Sequence, residues 1–131
     1  MTENLAIRNL EQFANLYAQL RHLGSLGPVH VRRCRKWSVR ALEAKAANPN
    51  RPEGQYLRVE HGTPRRQFAR MVLNGFQEGR MSEEWLNDLS DRMWRIAVVT
   101  VEEDRLLDRS IDLGDPEARW RAVGIEFAPS E

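Results

Sequence analysis

Within nine residues, Arg32, Arg33, Arg35, Lys36 and Arg40 place five cations around Trp37, with His30 just before them. On a helix, Arg33, Lys36, Trp37 and Arg40 would share one side at i, i+3, i+4 and i+7. Arg65, Arg66 and Arg70 form a second cluster further on. Arginine's planar fork suits bidentate contact with phosphate, and a polyanion backbone releases counterions on meeting such a surface. Trp37 adds a ring on which a base can stack. These nine residues are the expected nucleic-acid contacts. The competing expectation is that the same arginines pair with the acidic C-terminal half of the chain.

A second constellation is carboxylate and imidazole. Glu60-His61 closes a short alternating stretch and is followed by Pro64, in VEHGTPRRQF. IAVVTVEEDRLLD has an apolar run entering a Thr-x-Glu-Glu turn, with Asp104 and then Asp108 four residues on. Together the two stretches resemble the halves of an HNH-type (ββα-metal) nuclease site. The resemblance implies a divalent cation, Mg²⁺ or Mn²⁺, held by the hard oxygens of Glu60, Asp104 and Asp108. It also implies that neutral His61 takes a proton from the attacking water. Phosphodiester hydrolysis would follow, with Arg65 and Arg66 holding the substrate backbone.

The chain departs from that pattern in definite ways. No histidine follows His61, and neither Asn74 nor Asn87 adjoins the second apolar run. The insert between the halves, about residues 65–95, is long and helical. A degenerate relative, or a non-catalytic nucleic-acid- or protein-binding regulator or inhibitor of a bacterial or phage system, is therefore the alternative to a nuclease. Cys34 stands four residues after His30, but one cysteine without a nearby carboxylate reads as a small buried hydrophobe. His22 is expected at a helix C-terminus, and Trp94 and Trp120 as core anchors.

The elements that must position these residues follow from period and punctuation. Leu5, Leu10, Phe13, Leu16, Tyr17, Leu20 and Leu23 recur at helical spacing, ended by the GSLGP breaker. Residues 29–47 read as a second helix, with Val31, Cys34, Val39, Leu42 and Ala46 inward, and NPNRPEG ends it. QYLRVE (55–60) alternates as a strand does. Thr63 as N-cap and Pro64 in the first turn open a helix through Phe76, and Ser82 opens another. IAVV (96–99) is the second strand. Thr100 caps a helix that continues through Leu106, Leu107 and Ile111, with Glu102, Glu103 and Asp104 favouring its N-terminal dipole. A last turn falls at 118–123. The order predicts an α+β fold: a mostly helical single domain over 1–131 with a minimal two-stranded sheet. Its helical basic part is 1–47 and its ββα-metal-like part 55–112.

The whole chain has 131 residues, 41% hydrophobic and 30% charged, which is globular composition. No apolar run approaches a membrane span, the N-terminus lacks a secretory pattern, and one cysteine excludes an internal disulfide. The expectation is a cytoplasmic protein without a membrane partner. Net charge is +1, yet residues 1–70 hold 13 Lys/Arg against 5 Asp/Glu, and residues 71–131 hold 7 against 14. That polarity favours a nucleic-acid partner and leaves room for a basic protein docking on the acidic half. Oligomeric state is left open.

Overall fold

A computed structural model describes residues 3–108 and 114–129, with side chains from residue 8 onward. In chain order the elements are α1 (Glu3–Leu23), α2 (Val39–Ala47), β1 (Leu57–His61), α3 (Arg65–Gln77), α4 (Glu83–Met93), β2 (Ile96–Thr100), α5 (Val101–Arg105) and α6 (Ala118–Ala122). The expected class holds: mostly helical α+β, with one two-stranded antiparallel sheet. No helix among the described residues is long and apolar enough to cross a membrane. The chain folds as two compact units, Met1–Gly27 with Thr63–Trp94, and Pro28–Gly62 with Arg95–Glu131.

The first unit is helical. α1 stops at Gly24, whose φ of 70° is open to glycine and whose N–H bonds back to Leu20 O at 2.8 Å. The inward stripe of α1 is Ala14, Asn15 and Ala18, whereas Phe13 and Leu20 are exposed and Leu5 lies outside the described side chains. Two alanines one turn apart give α3 room to lie close against α1. Asn15 joins the packing by donating to Glu11 O and Arg65 O, and it accepts from the Trp94 indole at 3.3 Å. α3 opens on Pro64 rather than on a Thr63 cap, and the Thr63 hydroxyl is buried. Ser82 caps α4 as expected, accepting from Trp85 N. His22, in the last turn of α1, stacks on Trp94 at 5.5 Å.

The second unit is built on the sheet. β1 and β2 pair from Leu57↔Thr100 to His61↔Ile96. Successive β2 side chains face opposite ways. Val98 packs with Cys34, Ala41, Tyr56 and Leu57, and Ala97 and Val99 pack with Leu107, Trp120 and Ile125. Covered on both faces, this strand is continuously apolar instead of alternating.

The second helix is shorter than its spacing predicts. Residues 29–38 are not α-helical: Val31–Arg33 form a single 3₁₀ turn and α2 starts at Val39. The reason is competition from the sheet. Lys36 O accepts from Val98 N, Ser38 N donates to Val98 O, and Trp37 O accepts from Ala128 N, each at 2.9 Å. Those bonds need extended backbone. With the start displaced, Ala41 faces inward and Leu42 is 42% exposed. α5 likewise ends at Arg105, because the chain turns Leu107 into the cluster around Trp120; Ile111 lies outside the described residues.

Candidate nucleic-acid interface

Glu60 and His61 close β1, and neighbours in a strand point to opposite faces. Glu60 pairs with Ala97 on the face of Arg58 and Val99, and His61 pairs with Ile96 on the face of Leu57, Val59 and Val98. Because the pairing is antiparallel, Thr100 and the start of α5 stand beside Leu57, at the far end of the ladder from His61. Four strand steps separate those ends, roughly 13 Å. Asp104 lies within α5 and Asp108 beyond its end, so the expected i, i+4 carboxylate pair does not share a helix. Among the described residues no three His, Cys, Asp or Glu side chains gather as a metal ion requires. Glu60, His61, Asp104 and Asp108 thus form no such group among the described residues.

Each acidic residue of the Thr-x-Glu-Glu turn has a position the fold explains. Glu102, Glu103 and Asp104 occupy the first turn of α5, and Thr100 with Glu103 forms a complete capping box. Glu103 is buried and also accepts from Ser38 Oγ at 2.6 Å. The carbonyls of His61 and Gly62 both accept from the buried Arg119 guanidinium at 2.8 Å, which pins the end of β1.

The basic residues divide into three groups. Lys36 pairs with Glu117 at 3.0 Å and lies over the Phe127 ring, so it meets the expectation of pairing with the acidic half. Arg40 lines a small polar cleft together with Glu43, Glu103 and Glu126. Arg32, Arg33 and Arg35 are exposed. The Arg32 side chain is 79% exposed and reaches Glu53 only at 3.4 Å; among the described residues no carboxylate lies in ion-pair distance of Arg35. Arg65, Arg66 and Arg70 are exposed on α3, in the helical unit, also without an ion pair among the described residues.

Trp37 is placed otherwise than expected. It is half-buried against the Val98 core, its indole N–H donates to Cys34 O at 2.9 Å, and Lys45 Nζ sits 5.1 Å from its ring centroid. The ring is thus partly buried, with a lysine ammonium over it. Cys34 is buried, and burial pushes its thiol up to about 11, which leaves no thiolate at neutral pH.

Two grooves flank Arg32. One, of about 830 Å³, is lined by Lys45, Asn48, Asn50, Arg51 and Tyr56; the other, of about 750 Å³, by His30, Arg33, Gly54 and Arg58. Arg32 and Glu53 belong to both, and among the described residues Glu53 is the one carboxylate lining either. Lys45, Arg51 and Arg58 were not singled out from the sequence. The available signal was weak: Arg58 is the exposed position of an alternating strand, and Arg51 lies inside the breaker loop. Segment 28–62 carries eight Lys/Arg against three Asp/Glu. No protein-family model, curated protein or solved structure matches the chain.

Proposed function

We propose that the protein binds nucleic acid through the basic surface of segment 28–62, by phosphate contacts and without cutting its ligand. The observation that carries this is the exposure of Arg32, Arg33 and Arg35, the first two lining open grooves whose one carboxylate among the described residues is Glu53. Lys36 is taken by Glu117 at 3.0 Å, whereas the Arg32 side chain stays 79% exposed and meets Glu53 only at 3.4 Å. Guanidinium groups so placed donate to phosphate oxygens, and each phosphate neutralised releases condensed counterions. The test is binding of a labelled mixed-sequence oligonucleotide at increasing salt. Affinity should fall linearly on logarithmic axes, with a slope of about −0.9 per phosphate contacted on a duplex. Replacing Arg32 and Arg35 together by Ala should weaken binding about tenfold and flatten the slope by roughly two contacts. Unaltered mobility of nucleic acid at low salt would sink the proposal.

A second reading has one observation in its favour: β1 and β2 are paired, and β2 runs directly into α5. That is the element order the HNH resemblance implies, and it fits a degenerate relative that keeps the order without the ligand set. Plasmid cleavage that needs Mg²⁺ or Mn²⁺ and is lost in both His61→Ala and Asp104→Ala would replace the binding proposal with an active nuclease.

A further inference from the structure

We infer that the ligand of this surface is double-stranded nucleic acid held by its phosphates alone, an inference that rests on the nucleic-acid reading above. Proteins that hold single strands combine a basic groove with aromatic rings on which bases stack, and stacking supplies much of the affinity. Here the rings are covered. Lys45 lies over Trp37 at 5.1 Å, Arg51 over Tyr56 at 5.4 Å and Lys36 over Phe127 at 4.6 Å. Tyr56 and Trp120 are also buried, and Trp37 and Phe127 are partly buried. The surface thus presents cations where a single-strand binder presents rings. Its relief points the same way. Two grooves lie on either side of one shared wall, Arg32 with Glu53. A duplex offers two phosphate ribbons to one face, with one charge per roughly 1.7 Å of axis, whereas a single strand offers one ribbon at lower density. Arg32, its side chain 79% exposed, lines both grooves and so can donate to a phosphate of either ribbon.

The experiment uses the full chain and three fluorescein-labelled probes of about 20 nucleotides or base pairs: a mixed duplex, a sequence-scrambled duplex and one of the single strands, at about 100 mM salt. Anisotropy should give both duplexes equal affinities, at least about tenfold tighter than the single strand. Equal or tighter binding of the single strand, or a clear preference between the two duplexes, would overturn the inference while leaving nucleic-acid binding intact. Failure of all three probes to bind at low salt would remove the underlying reading as well. The Lys45→Ala, Arg51→Ala double variant gives an independent check. It removes the cation from over each ring, so duplex affinity should fall while the gap between duplex and single strand narrows. A gap that widens in that variant would contradict the role given to the covered rings.

Discussion

One carboxylate oxygen of Glu103 accepts hydrogen bonds from Ser38 Oγ at 2.6 Å and from Thr100 N at 3.0 Å. The same Ser38 Oγ accepts from Ala41 N, and Thr100 Oγ1 accepts from Glu103 N. Four groups are thereby satisfied where α2 and α5 begin, in a place with little access to water. Glu103→Ala leaves a hydroxyl and an amide without partners and should cost about 2–4 kcal/mol. Glu103→Gln keeps an acceptor oxygen and should cost about half of that; urea denaturation of both variants separates the two outcomes. The capping box was legible from Thr100 and Glu103, three residues apart. Ser38 was not, because its distance from Glu103 in sequence is 65 residues and only the fold closes it. Cys34 gives a second residue-scale expectation. Its thiol is raised to about 11 by burial, above the ordinary thiol range, so the folded state keeps a proton the unfolded chain has lost. Stability from this source is intact below about pH 8.5–9 and declines as pH climbs through 11. Alkylation at pH 8 should accordingly be slow in the native protein and fast in denaturant, and equal rates in both would contradict the burial.

At the scale of elements, period and punctuation located most of the helices and both strands, and the exceptions share a cause. Residues 29–38 carry helical spacing, yet their backbone bonds to β2 and to residues near Phe127, and a hydrogen-bonded neighbour outweighs a weak helical preference. The cluster Arg33, Lys36, Trp37 and Arg40 consequently lost its common helical side, and its members went to different tasks. The expected metal ligands are not gathered into one group among the described residues. Strand ends were legible, but which ends meet depends on pairing direction, and antiparallel pairing sets Thr100, where α5 begins, at the opposite end of the ladder from His61. Gly62 tests the same corner. A Cβ there would come within 1.8 Å of the Pro116 carbonyl oxygen, a backbone atom that cannot swing aside. Gly62→Ala should therefore destabilise the sheet unit by about 2–4 kcal/mol, seen as a lower midpoint in thermal melts. An unchanged midpoint would mean that residues 114–117 do not pack on this strand end as described.

On the scale of the molecule, the sheet unit is assembled from two stretches of chain separated by residues 63–94. Composition alone cannot show this, since the charge difference between the halves suggests a division near residue 70, whereas both basic segment 28–62 and acidic segment 95–131 belong to one unit. The points where the chain leaves and re-enters that unit are adjacent: His61 pairs with Ile96, and Gly62 N donates to Arg95 O at 2.8 Å. That bond is the closing pair a two-residue hairpin turn requires. Residues 28–62 joined by Asn-Gly to residues 95–131 should then fold without the helical unit, with both faces of β2 still covered by Val98 and Trp120 neighbours. Circular dichroism and cooperative urea unfolding check the first half of the expectation. The second half concerns binding. If Arg32, Arg33 and Arg35 form the contact surface, the excised unit should hold a duplex within about threefold of the full chain and with the same salt slope. A folded excised unit that binds more than about tenfold more weakly would transfer the contact to Arg65, Arg66 and Arg70 on α3.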